Sequence, residues 1–310
     1  MTALLSFRES IIKFYAKYDT YVVSVWKFVL ALVSFLLING RLGYLEKLNN
    51  LFLVLILALF CSFMPVNTIV LLGAALMAGH LYGLSLPALL VGGGILIILL
   101  LLYMGILSRN GYALIFTMLA LAFGCPAAAP LVFGLVAGPA SMAAICFGTA
   151  AYYGIAAVNR TAQAGTALGG TTAAEESKAV VETIKTLMDA VLGENRMVLM
   201  MISLAAAFLV VWLIRRMAIK YSWTLAVGMG TLTFLVVSLM GCLVFGEFGQ
   251  IPGLLLGTAV SAVIALAVKF FRFQVDYTHV MNVQFEDGDY YYYVKAIPKR
   301  KRGCEESGGN

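Results

Sequence analysis

Long apolar runs separated by short polar breaks set the plan of the chain. The first run is Tyr21 to Ile38, interrupted by Lys27. Lys27 lies near one end of it, where a long side chain can carry its ammonium to the membrane surface. After Asn39–Asn50 comes an apolar block from Leu51 to Ser85. At about 1.5 Å of rise per residue it is too long for one span. Pro65-Val66-Asn67 divides it into two arms. Leu86–Leu107 reads as a clean span ending at Ser108-Arg109-Asn110-Gly111. The next block, Tyr112 to Val158, is divided by Gly124-Cys125-Pro126 and again by Pro130 and Pro139. Met197–Ile214, Tyr221–Phe245 and Ile251–Phe271 follow as single spans, each near the roughly 20 residues a helix needs to cross hydrocarbon.

The flanks carry different patterns. In residues 1–20, Leu4, Phe7, Ile11, Phe14, Tyr15 and Tyr18 recur at helical spacing beside Arg8, Lys13 and Lys17. This predicts a cytoplasmic amphipathic helix on the membrane surface and does not fit a cleavable leader. Within 159–196, Thr172-Ala173-Ala174-Glu175 is a capping box. Val181, Ile184, Met188 and Val191 then mark one face, so an amphipathic helix is expected over about 172–192, stopped near Gly193. In 274–310, Tyr277–Phe285 is rich in strand formers, Asp287-Gly288 is a turn signal, and Tyr290–Ile297 returns as a second strand before Pro298. The expected fold is an all-α polytopic membrane bundle of six full spans and two Pro-broken hairpins, either re-entrant or fully spanning. A small cytoplasmic C-terminal β-hairpin completes it. The segments are 1–20, the bundle 21–158, the extracytoplasmic loop 159–196, three spans in 197–273, and the tail 274–310.

Charge sharpens this plan. Residues 48–159 carry one formal charge, Arg109, and all 15 Asp and Glu lie outside them. Soluble domains place a charge at about one residue in four, so lipid is the solvent here. The 62% hydrophobic content and mean hydropathy of +0.95 agree. The net charge of +6 fits cytoplasmic loops of a membrane protein, not nucleic-acid binding. Arg215, Arg216 and Lys220 place their loop in the cytoplasm. Lys269, Arg272 and Lys299-Arg300-Lys301-Arg302 place the C-terminus there too. Counting back puts the N-terminus and Arg109 inside and 159–196 outside, with Arg41 and Lys47 counting against it. The five cysteines are widely spaced, without CxxC or Cys/His patterns, so neither metal, cofactor nor disulfide is expected.

Chemistry-bearing residues are few. No carboxylate falls in a span, and no Ser/His, Asp/Asp or HExxH arrangement is present, so no catalytic residue is assigned. A short arm meeting a Pro break occurs twice, Leu57–Cys61 before Pro65 and Leu119–Phe123 before Cys125-Pro126. Paired interrupted segments point to a transport site. The candidate substrate-lining residues are therefore Pro65, Asn67, His80, Cys125 and Pro126. Asn67 is also a candidate helix cap, and His80 an interfacial hydrogen-bonding residue. Gly253, Gly257 and Ser261, four apart, are candidates for close helix packing. Phe285, Tyr290, Tyr291, Tyr292 and Tyr293 are candidate docking residues, since an isolated hairpin is marginal in water. The 276–297 hairpin would pair with a cytoplasmic protein or with a second copy.

Three segments, Phe7–Tyr15, Leu57–Asn67 and Val283–Asp287 leading to Tyr290–Pro298, resemble an uncharacterised family of polytopic membrane proteins from Gram-positive, mostly anaerobic bacteria. The resemblance implies a bacterial inner (plasma) membrane and assigns no activity. Two functions follow as expectations. One is a non-catalytic membrane component, a permease-like subunit or scaffold whose hairpin docks a partner. The other is an autonomous secondary carrier with a broken-helix site and no intramembrane carboxylate.

Overall fold

The computed structural model describes residues 7, 10, 11, 14, 15, 17–166, 184–191, 193–217, 221–246, 249, 251–272, 281–287 and 290–296. The capping box at 172–175, Val181, Leu4, Arg8, Lys13, the turn at Gly288 and the tail from 297 lie outside them. Met1–Leu266 forms one compact unit and Ala267–Asn310 a second.

The first unit is helical. In chain order the helices are α1 Asp19–Arg41, α2 Leu51–Phe63, α3 Val66–Leu84, α4 Leu86–Leu102, α5 Gly111–Ala122, α6 Ala128–Val136, α7 Ala140–Thr166, α8 Asn195–Arg216, α9 Ser222–Phe245 and α10 Ile251–Arg272; α10 runs on into the second unit. Residues 184–191 are helical as well. Among the described residues seven helical runs are long and apolar enough to cross a membrane. Six full spans and two Pro-broken hairpins were expected. Five of the seven runs cover the named single spans, and the other two are the second arms of the divided blocks, which reach full length because Pro65 is the N-cap of α3 and Pro139 precedes α7. Pro130 breaks nothing. It occupies the first turn of α6, where a missing N–H costs no intrahelical bond.

Hydrogen bonds fix which helix ends lie together. Lys27 Nζ donates to the Met64 carbonyl at 3.2 Å, and Ser62 Oγ to the Ser24 carbonyl at 2.8 Å. The α2–α3 break is therefore level with the start of α1. From Lys27 to Arg41, α1 rises about 21 Å at 1.5 Å per residue. At that upper end, Asn39 Nδ2 bonds the Leu48 carbonyl at 2.9 Å and Asn39 Oδ1 meets His80 Nε2 at 2.9 Å. Thus α2 descends from the Arg41 end and α3 returns to it.

The run Leu86–Ala122 is also folded in two. It starts beside Gly83, which packs on Leu45, and finishes where the Ala122 carbonyl accepts from Arg41 Nη2 at 2.8 Å. Both termini lie at the Arg41 end. The reversal uses a π-helical turn, Tyr103–Leu107, and a 3-10 turn, Ser108–Asn110. At its base Ser141 Oγ donates to Asn110 Oδ1 at 3.1 Å.

Helix α5 stops by a Schellman arrangement. Gly124 has φ +73, Cys125 N bonds the Ala120 carbonyl at 2.8 Å, and Gly124 N bonds that of Leu121 at 3.2 Å. This left-handed position suits glycine, and Pro126 prevents continuation. Several buried cores result. Leu30, Phe35, Val54, Ile69 and Ile115 join α1, α2, α3 and α5. Leu131, Ile145, Phe208, Val227, Phe234 and Ala265 join α6 to α10. Exposed Leu59, Phe63, Ile97, Leu101, Leu256 and Val263 give the outer faces an apolar surface suited to hydrocarbon contact.

Lipid provides little hydrophobic drive between helices, so close approach at small residues matters. A Cβ on Gly257 would collide with the Gly124 carbonyl oxygen, whereas one on Gly253 meets nothing within 4 Å. Ser261 is fully buried and its Oγ donates to the Gly257 carbonyl at 2.6 Å. Of the expected packing triplet, Gly257 and Ser261 are in the contact and Gly253 is outside it.

In the second unit, Met281–Asp287 and Tyr290–Ala296 are two antiparallel strands, β1 and β2, with Phe285 opposite Tyr292 and Asp287 opposite Tyr290.

Gly257→Ala forces backbone apart from backbone and should cost about 1–3 kcal/mol or more. It will lower the thermal midpoint of the detergent-solubilised protein by several degrees, while Gly253→Ala leaves it within error.

Candidate functional site

Between α1, α3, α4, α5 and α7 lies a cavity of about 570 Å³. That is within the roughly 300–1,000 Å³ of typical ligand sites. It exists because α4 and α5 diverge from their shared turn, leaving a wedge closed by α1, α3 and α7. Its walls are apolar, with Ile69, Met77, Leu100, Leu114 and Phe147 among them, and none of its lining residues is Asp or Glu. Near the α4–α5 reversal the wall includes Tyr103, buried to 1% exposure. Tyr103 Oη donates to Asn67 Oδ1 at 2.6 Å. Gly111 makes this possible, since a Cβ there would sit 2.6 Å from the Tyr103 hydroxyl.

The opposite end is basic. Arg41, Arg160 and Arg196 all line it. Arg41 closes the α1 end: Nη1 donates to Tyr152 Oη at 2.5 Å, Nη2 bonds the Ala122 carbonyl, and the guanidinium lies 5.3 Å from the Tyr152 ring centre. All of these acceptors are neutral. Arg160 pairs with Glu194 at 2.8 Å, its side chain remaining 56% exposed. Tyr44 donates to Asn159 Oδ1 and accepts from Gln163 Nε2, so the 42–50 loop is tied to α7 beside the mouth.

No family model matches this chain, and neither a curated protein nor a solved structure does. The site is therefore read from its own geometry.

None of Pro65, Asn67, His80, Cys125 and Pro126 lines the cavity. Pro65 is exposed at the α2–α3 break near the Lys27 end. Half-buried Cys125 and buried Pro126 form the α5–α6 turn near the Arg41 end. The two breaks thus lie at opposite ends of the bundle and do not face one site. Asn67 does not cap α3, which has no side-chain cap; it binds Tyr103 and so supports the cavity floor from behind.

His80 is fully buried. The Leu45 N–H donates to its Nδ1 at 3.4 Å, which assigns the proton to Nε2, facing Asn39 Oδ1. Its role here is to hold the 42–50 loop. Among the described residues no group of three or more His, Cys, Asp or Glu could hold a metal.

The sequence pattern contained one signal for the cavity. Arg41 and Arg160 are basic residues at the ends of apolar runs on the side assigned to the exterior, against the usual bias. Tyr103, Tyr152 and Arg196 had no distinguishing mark.

Tyr103→Phe leaves Asn67 Oδ1 without its donor. A cost of about 0.6–2 kcal/mol is expected for such an interhelical bond, read as a lower thermal midpoint. Asn67→Ala in the same background should add little, because the pair is already broken.

Proposed function

We propose that this protein is a non-catalytic, permease-like component of a bacterial inner membrane that holds an apolar or amphipathic ligand within its bundle. The observation that carries the reading is the cavity, apolar along its walls and basic at one end. The course of the helices supports it. Helices α4 and α5 run apart from their shared turn, and α1, α3 and α7 close the space between them. The absence of carboxylates from the wall argues against coupling through an intramembrane acid. Arg109 and Arg215 belong to the Lys27 end of the bundle, supporting a cytoplasmic assignment for that end and for the N-terminus.

Gly73 lines the cavity, and a Cβ there would meet Ile38 only at 3.6 Å. Gly73→Trp should therefore project an indole into the space while α3 still forms. The hydrophobic fluorophore 1-anilinonaphthalene-8-sulfonate, titrated onto the detergent-purified protein, is expected to bind the native form saturably and the Gly73→Trp form at least about tenfold more weakly. Equal binding by a folded Gly73→Trp protein rejects the cavity as the ligand site.

A second reading, a scaffold that docks a cytoplasmic protein or a second copy through the 276–297 hairpin, is favoured by the tail. Among the described residues β1 and β2 pair only with each other, so both outer edges are open to a further strand. Phe285 and Tyr290–Tyr293 are the residues on offer. Deleting 274–310 should abolish co-purification of a cytoplasmic partner, or shift the oligomer to a smaller species in light scattering. An unchanged mass and unchanged partner profile removes this reading.

A further inference from the structure

We propose that the cavity is a site for a membrane lipid with an anionic phosphate headgroup, the acyl chains lying between α3, α4 and α5 and the phosphate held at Arg41 with Arg160 and Arg196. This rests on the cavity reading above and names the ligand class.

The arrangement has a single polarity. Every lining residue that carries formal charge is an arginine, and all three lie at one end. Arginine presents a planar fork of five donors that matches phosphate oxygens two at a time. Arg41 uses one donor on Tyr152 and one on Ala122. Both partners are neutral, so the guanidinium is oriented while, among the described residues, its charge has no carboxylate partner. The Tyr152 ring beneath it further restricts its motion.

Arg160 differs, because Glu194 neutralises it. It sits two turns beyond Tyr152 on α7, about 12 Å further along the axis at 1.5 Å per residue. The mouth is thus deep enough for a headgroup that extends past its first phosphate. Arg41, Arg160 and Arg196 are all exposed residues, where the aqueous boundary of a bilayer would lie. Below them the wall is Leu, Ile, Met and Phe down to Tyr103.

A soluble anion has no use for that apolar depth, and an uncharged hydrophobe has none for the arginines. A phospholipid satisfies both parts, and basic pockets between spanning helices are an established mode of headgroup binding. The bilayer supplies it at high local concentration.

The test uses the full-length protein, delipidated in detergent, with the shift in thermal midpoint on titration as the readout. The probes are phosphatidic acid, diacylglycerol with the same chains, and inorganic phosphate. Phosphatidic acid is expected to bind saturably, with diacylglycerol about tenfold weaker and inorganic phosphate without effect at matched concentration. Arg41→Gln and Arg196→Gln should each weaken phosphatidic acid about tenfold and leave diacylglycerol unchanged. Arg216→Gln, at the other end of α8, should change neither.

Arg41 also holds the Ala122 carbonyl, so if Arg41→Gln does not run as a monodisperse species, Arg196→Gln decides alone. Equal affinity for phosphatidic acid and diacylglycerol overturns the headgroup assignment but leaves the cavity reading standing. Protection by inorganic phosphate equal to that by the lipid shows a free-anion site and overturns the lipid assignment. Binding of neither lipid removes the inference and the cavity reading together.

Discussion

A helix that ends beside longer neighbours leaves carbonyls with no intrahelical partner, and these must find another donor. The rest of this structure depends on how that problem is met. Helices α2, α5 and α6 end at one or other end of the bundle, and beside each end stands a cation from a longer neighbour. Lys27 of α1 takes the Met64 carbonyl after α2, Arg41 of α1 takes the Ala122 carbonyl at the end of α5, and Arg215 of α8 takes the Leu135 and Ala137 carbonyls at the end of α6. Positive charge at a helix C-terminus also opposes the dipole of the short helix. Each cation ties the end of a short helix to the longer one beside it, and Arg41, which holds the end of α5, also lines the cavity.

The same economy explains why the basic residues lie where they do. Residues 48–159 contain a single formal charge, so the cations that meet the carbonyls of their broken helices come from outside that stretch. Two of the three capping residues come from α1 and one from α8. Arg41 stands at the junction of both functions: its guanidinium ends α5 and at the same time faces the cavity mouth. Close packing supplies the complementary restraint. Gly257 lets α10 lie against the Gly124 carbonyl, seating the last helix on the turn that follows Arg41's partner.

Several elements were legible in the chain itself. The boundaries at Asn50, Ser85 and Gly124 follow from caps and turn chemistry: Asn50 accepts from Phe52 N, Ser85 from Ala88 N, and Gly124 takes a positive φ. The division at Pro65 is likewise a matter of a missing N–H. Less legible were consequences of proline position. Pro130 and Pro139 look alike as breaks in sequence, yet one sits harmlessly in a first turn and the other precedes the long α7. In 184–191, Leu187 and Val191 are buried while Met188 is half exposed, so the apolar face is rotated from the one the spacing suggested. Lys27 read as a snorkelling residue because nothing near it in sequence needs a donor; its acceptor, Met64, is remote along the chain.

What the sequence by itself determined is the solvent of each segment and the places where helices must stop. Hydropathy, caps, glycine and proline act over a few residues and need no partner to be read. What only the tertiary structure decided is which ends meet. The repeat of short arms before Pro65 and Pro126 promised a shared site, but the two breaks fall at opposite ends of the bundle. The cavity instead assembles from five helices, with Arg196 of α8 at its mouth, and its lining residues are mostly ordinary Leu, Ile, Ala and Met. Its identity resides in the gap between them and in three arginines distant in sequence. Such a gap is set by helix direction and packing distance, which are properties of the assembled bundle and of no segment within it.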